Sequence, residues 1–93
     1  MNEDASREYF DTGLRKIRTE IKTRLVPHGL FGSITDIDSN SADHALSGSR
    51  IEISIKGRTV SRSFGRQEIE GCRLRVEGVV LSGIISMVEE LSA

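Results

Sequence analysis

The sequence predicts an α+β fold in which an N-terminal helix, a three-stranded antiparallel sheet and C-terminal helices follow in the order αβββα. The first observation is a stretch in which Ile51, Ile53 and Ile55 alternate with polar residues, the period of a strand with one buried face. The second is a turn at Lys56-Gly57-Arg58, after which the alternation resumes towards Phe64. The third is an amphipathic helical pattern on each side of this hairpin. The helices are therefore expected to cover one face of the sheet.

The first helix is predicted from about Asp4 to Val26. Its apolar residues recur every three or four positions, which places them on one stripe. Pro27 and Gly29 then end the helix. The stripe consists of Phe10, Leu14, Ile17, Ile21 and Leu25.

The first strand is predicted from about Leu30 to Asp38, where apolar residues stand among serine, threonine and aspartate. The following stretch, Asp38 to Ser49, is rich in small and polar residues and predicts a loop. The hairpin supplies the second and third strands.

The C-terminal third allows two interpretations. One is a short helix over Arg66–Cys72, a break, and a second helix from about Gly78 to Leu91, because apolar residues recur at helical spacing. The other makes Cys72–Val76 a short fourth strand, because Cys72, Leu74 and Val76 alternate with charged residues. The two-helix interpretation is preferred.

The predicted core combines the helical stripes with the inward face of the hairpin. One domain spanning residues 1–93 is expected, since a chain of 93 residues is long enough for one small hydrophobic core. Its members are Phe10, Leu14, Ile17, Ile21, Ile51, Ile53, Ile55, Phe64, Val80, Ile84, Val88 and Leu91.

Composition excludes several classes of protein. The chain is 29% charged and 37% hydrophobic, with a formal net charge of −1, which is typical of a soluble globular protein. Cys72 is the single cysteine, so an internal disulfide is impossible. The acidic first residues carry no apolar run, and no apolar stretch is long enough for a membrane span. We therefore expect a cytoplasmic protein without a membrane contact.

Candidate catalytic and metal residues do not form a recognisable motif. Asp36-Ile37-Asp38-Ser39-Asn40 resembles the start of an EF-hand loop, but Ser41 and Ser47 replace its glycine and its bidentate glutamate. His28, His44 and Cys72 have no metal-ligand spacing, and Cys72 falls on an apolar stripe. We therefore predict a non-enzymatic protein with no metal and no cofactor. A cysteine–histidine enzyme using Cys72 is a distant alternative.

Basic residues are concentrated in one segment. Positions 50–75 hold seven basic residues against three acidic ones, and a second basic group lies on the first helix. Such residues could bind phosphates. The element order resembles that of double-stranded-RNA-binding domains, which bind duplexes by shape, although the lysine-rich cluster that those domains carry at the start of the last helix is absent here. The candidate nucleic-acid-binding residues are Arg15, Arg18, Lys22, Arg50, Arg58 and Arg62.

The last helix is more apolar than one sheet contact requires. Leu81, Ile85 and Val88 widen its apolar face, and we take them as candidate residues of a protein interface. The alternative is that the first helix covers this flank. The leading prediction is therefore a small interaction or regulatory module that forms a homodimer or binds another protein. The second prediction is a nucleic-acid-binding module.

Overall fold

A computed structural model describes residues 3–30, 32–38 and 48–93. Helix α1 spans Glu3–Leu25 and is followed by a 3₁₀ turn at Val26–His28. The strands are β1 (Ser33–Asp38), β2 (Ser49–Ile55) and β3 (Arg58–Phe64). A short helix α2 (Arg66–Gly71) and a long helix α3 (Gly78–Ser92) complete the chain. The α+β class and the αβββα order are confirmed, with α2 as the short helix that the sequence also predicted.

Helix α1 ends where the sequence predicted. Its whole apolar stripe is buried, from Phe10 to Leu25. Pro27 lies in the 3₁₀ turn, and Gly29 follows with a φ of 67°, a left-handed conformation that glycine adopts without strain. The amide of Gly29 donates to the Val26 carbonyl at 3.0 Å. This end directs the chain back towards the sheet.

The sheet has the strand order β1-β2-β3, with both pairs antiparallel. Ile51, Ile53 and Ile55 of the central strand are buried, as their alternation predicted. The β2–β3 turn contains two residues, Lys56 and Gly57, with φ values of 52° and 80°. Two positive φ values are the signature of a type I′ turn, which matches the twist of a hairpin. Arg58, predicted as part of the turn, is instead the first residue of β3.

Two strand boundaries differ from the prediction. Strand β1 begins at Ser33, three residues after the predicted Leu30, because the chain leaves the 3₁₀ turn before it pairs with β2. Ser49, predicted as the end of the loop, pairs with Phe64 and belongs to β2. The rest of the predicted loop, residues 39–47, lies outside the described residues.

The C-terminal third follows the two-helix interpretation. The segment Cys72–Val76 is a turn followed by irregular chain, so the alternative fourth strand is wrong. The Glu68 carboxylate accepts a hydrogen bond from the Gly65 amide at 2.8 Å and so caps the start of α2. Gly78 has a φ of 66° at the start of α3, a conformation that favours glycine there.

One hydrophobic core joins α1, α2 and α3 to the hairpin. All twelve predicted core residues are buried. Among the described residues, the structure adds four buried hydrophobic residues, which are Leu25, Ile69, Cys72 and Met87. Helix α1 approaches α2 at Gly13, where an added Cβ would collide with the backbone of Ile69. Helix α3 approaches β3 at Gly83, where an added Cβ would meet the Phe64 ring at 2.9 Å.

Candidate functional site

The three arginines of the hairpin do not lie on one face of the sheet. In the register of β2 and β3, Arg58 pairs with Ile55 and Arg62 pairs with Ile51. Directly paired residues share a face, so Arg58 and Arg62 lie on the side of the helices. Arg50 pairs with Ser63 and lies on the open side with the other polar residues of β2. The six candidate nucleic-acid-binding residues therefore do not form one continuous patch.

Arg58 holds the C-terminal end of α3. Its Nη2 donates to the carbonyl of Glu90 at 2.9 Å, and its Nη1 donates to the carbonyl of Ala93 at 3.1 Å. The last carbonyls of a helix have no partner within the helix, and a cation near them is stabilised by the helix dipole. Arg58 therefore has a structural role between β3 and α3.

Arg62 makes three contacts on the same side. Its Nη2 donates to the hydroxyl of Ser86 at 3.0 Å and lies 3.2 Å from a carboxylate oxygen of Glu90. Its Nη1 donates to the carbonyl of Ser61 at 2.8 Å. Arg58 and Arg62 thus line a groove between β3 and α3, together with Val60 and Glu90.

The second basic group is exposed on α1. Arg15, Arg18 and Lys22 are spaced by three and four residues, which places them on one flank of the helix. Glu20 and Arg24 lie on the other flank, where they line a groove against α3 and form an ion pair of 2.6 Å. The basic flank of α1 therefore faces away from α3.

The predicted protein-interface residues are buried to different extents. Val88 is buried in the core, Leu81 is half-buried, and Ile85 is exposed over 36% of its surface. Ile85 and Val88 lie in a groove between α3 and the end of α1, beside Pro27 and His28. Helix α1 thus covers part of this flank, and Ile85 is the residue that remains accessible to a partner.

The opposite flank of α3 also carries an exposed apolar residue. Val79 is 66% exposed. It lies four residues before Gly83, on the helical stripe that continues through Ser86 and Glu90 towards β3. Gly83 and Ser86 of this flank approach Phe64 and Arg62, so the flank borders β3, an edge of the described sheet.

Cys72 is the one cysteine, and it lies in the core at 2% exposure. Burial raises the pKa of its thiol above the ordinary value of 9.0, and the nearby carboxylates of Glu68 and Glu77 raise it further. A hydrogen bond with the backbone of Glu77 opposes these effects. A raised pKa disfavours the thiolate that a nucleophile requires.

The candidate metal ligands that the structure describes lie apart from one another. His28 lies exposed in the 3₁₀ turn, and His44 lies outside the described residues. Asp36 and Asp38 belong to β1, whereas Ser39, Asn40 and Ser41 of the EF-hand-like stretch lie outside the described residues. Within residues 3–30, 32–38 and 48–93, no three histidine, cysteine or acidic residues are close enough to hold a metal ion.

Two exposed features at the start of the α2–α3 connection were not singled out by the sequence patterns. The Arg73 guanidinium lies 4.2 Å from the centre of the Tyr9 ring, a cation–π contact. Leu74 follows it and is 78% exposed. The sequence offered no signal for the first contact, since Tyr9 and Arg73 are far apart along the chain.

Comparisons with protein-family models, curated proteins and solved structures find no significant match to this chain. In the part of the chain that the structure describes, no helix has the length and apolar character that crossing a membrane requires.

Proposed function

We propose that this protein is a small, non-enzymatic interaction module that self-associates through α3. The observation that carries the proposal is the surface of this helix. Its buried stripe already supplies the contact with the core, yet Val79 and Ile85 remain exposed on its two flanks. Apolar side chains gain free energy when a partner removes them from water.

A second copy of the chain is the partner that we favour. Soluble oligomers are most often homodimers with two-fold symmetry, in which one surface patch meets its own copy. A patch that carries both positive and negative side chains suits such a contact, because each charge can meet an opposite charge of the second copy. Glu90, in the last turn of α3, lies next to Arg58 and Arg62 of β3. The cytoplasmic location expected from the sequence stays a prediction.

Sedimentation velocity across a wide range of protein concentration tests self-association. We expect the sedimentation coefficient to rise with concentration towards the value of a dimer. A single monomeric species at every concentration, up to the millimolar range, would contradict the proposal.

Nucleic-acid binding is the second candidate, and the exposed basic flank of α1 is the observation that favours it. The test is fluorescence polarisation with labelled duplex RNA and duplex DNA at low and physiological salt. Binding by phosphate contacts weakens steeply with salt. The double variant Arg15→Ala/Lys22→Ala should weaken such binding, whereas Lys56→Ala in the exposed hairpin turn serves as the control. Absence of binding at low salt would reject this candidate.

A further inference from the structure

Strand β3 forms one edge of the described sheet, since it pairs with β2 and with no other described strand. In a hairpin with a two-residue turn, the residues next to the turn exchange both backbone hydrogen bonds. Here these residues are Ile55 and Arg58. Hydrogen bonding to the neighbouring strand then alternates along β3. The backbone groups of Thr59, Ser61 and Ser63 therefore point out of the sheet, away from β2.

The outer edge of β3 is suited to pairing with another strand. Seven residues of β3 pair one to one with β2, so no bulge interrupts the strand. It contains no proline, and its outward-pointing positions carry small hydroxyl side chains. Natural proteins protect edges with prolines, bulges and charges, and a regular edge without the first two is a template for strand addition.

We infer that a second copy of this chain adds its own β3 to this edge, antiparallel and centred on Ser61, which forms one continuous sheet of two copies. This inference rests on the proposed self-association and places the contact on the β3 side of α3. The register follows from the backbone. Centring the pair on Ser61 places Thr59 opposite Ser63 of the partner subunit, so every outward-pointing residue of β3 exchanges its hydrogen bonds.

Helix α3 borders β3 through one flank, and a groove lies between the two elements. Gly83 and Ser86 approach Phe64 and Arg62 with the flank of the helix rather than with its buried stripe. The buried stripe of α3 faces the core, while Ser86 and Glu90 lie along β3. The groove lined by Arg58, Val60, Arg62 and Glu90 is the space that side chains of the second copy would enter.

Charge favours a second copy over an unrelated strand. The groove holds the Arg62 guanidinium and the Glu90 carboxylate side by side. Rotation about a two-fold axis at Ser61 brings two such pairs together, so each arginine gains a second carboxylate. Val60 of one copy then lies opposite Arg62 of the other, whose methylene groups can cover it. A purely basic or purely acidic partner would leave one of these charges against its like.

Arg62 must adjust when the copies pair. In the single chain its Nη1 donates to the outward carbonyl of Ser61, the group that the partner strand needs. Its Nη2 contacts with Ser86 and Glu90 do not involve this carbonyl. Nη1 can therefore leave Ser61 for the Glu90 carboxylate of the partner while the rest of the side chain stays in place.

Disulfide trapping tests the register. In a directly hydrogen-bonded antiparallel pair the Cα atoms are about 5.5 Å apart, which lies within the range that a disulfide spans. Ser61→Cys should therefore form an intermolecular disulfide under mild oxidation. Ser63→Cys should not, because its own copy lies roughly 13 Å away at about 3.3 Å per residue. Ser63 is the more exposed of the two serines, so random collision would give the opposite order.

Two further variants complete the test. Ser54→Cys, exposed on the central strand, should stay monomeric on oxidation, and the wild-type chain controls for Cys72. Equal or lower trapping at Ser61 than at Ser63 overturns the edge inference.

The proposed function and the edge inference fail in different ways. The first case is a wild-type chain that sediments as a dimer while Ser61→Cys is not trapped and Ile85→Ser abolishes the dimer. The copies then meet at the α1–α3 groove, and only the inferred pairing of the β3 edges is wrong. If the chain sediments as a monomer throughout, self-association itself is wrong.

Discussion

Arginine side chains show how one residue type takes different roles on this small surface. Arg58 and Arg62 hold α3 against β3. Arg75 instead forms an ion pair of 3.2 Å with Glu77, and the side chains of Arg75 and Glu77 are both largely exposed. The sequence did contain a signal for this difference. Positions 58 and 62 have the same parity as Val60 and Phe64, and in a strand that parity places them on the inward face. Which groups they meet there depends on where α3 ends, and periodicity does not predict that.

Replacing Arg58 tests its role at the end of α3. Arg58→Ala removes two hydrogen bonds to helix carbonyls, so we expect the free energy of unfolding to fall by about 1 kcal/mol. Arg75→Ala is the matched control and should change it by less than about 0.5 kcal/mol, since an exposed ion pair contributes little. Chemical denaturation measures both. Equal effects would show that the contact with α3 does not stabilise the fold.

Cys72 should be unreactive in the folded protein. Because burial raises the pKa of its thiol, we expect a thiol reagent at neutral pH to react only as fast as the chain opens. The folded state keeps the thiol proton that the unfolded state loses near the ordinary pKa of 9.0, so stability is lost as the pH rises from that value through the raised folded pKa. Immediate stoichiometric labelling of the folded protein would contradict this account.

At the scale of elements, close contacts between helices and their neighbours set the packing. The sequence predicted α1, the hairpin and α3 because their patterns repeat over many residues. It left the segment around Cys72 open, because Cys72, Leu74 and Val76 fit a helical stripe and an alternating strand over a short distance. Tertiary contact decides: Cys72 is buried in the core, whereas Leu74 is exposed. The first residues of β1 were misplaced for a similar reason, since pairing with β2 sets that boundary.

Gly13 tests the packing of α1 on α2. An added Cβ would collide with the carbonyl group of Ile69, a backbone group that cannot rotate away. We expect Gly13→Ala to lower the free energy of unfolding by about 1–3 kcal/mol, although alanine favours a helix by about 1 kcal/mol. Gly71→Ala is the matched control, because nothing lies within 4 Å of its added Cβ. It should be neutral or stabilising. A stabilised Gly13→Ala variant in thermal denaturation would contradict the close approach.

At the scale of the whole molecule, one core links the sheet to α1, α2 and α3. Ile53 lies at its centre with 0% exposure, on the middle strand. We expect Ile53→Asp to abolish cooperative folding, because a buried carboxylate without a partner costs several kcal/mol. Ser54→Asp places the same charge one residue along, on the open face, and should fold. Circular dichroism during heating distinguishes the two. A cooperative transition in Ile53→Asp would contradict the core.

The candidate interface combines α3 with the edge of β3, and the sequence predicted it only in part. The excess of apolar residues on α3 was evident from its pattern. The edge of β3 was not evident, because it depends on the strand order. It also depends on which residues of β3 direct their backbone groups away from β2, and the hairpin turn sets this. The two features lie side by side only in the folded molecule, at the contact of Ser86 with Arg62.

Amide hydrogen exchange at low and high protein concentration tests self-association most directly, because it reports each backbone group. We expect exchange at Thr59, Ser61 and Ser63 to slow as the concentration rises, since their outward-pointing amides become paired with a second copy. The amides of the hairpin turn should not change. Exchange that is independent of concentration at every amide would contradict self-association.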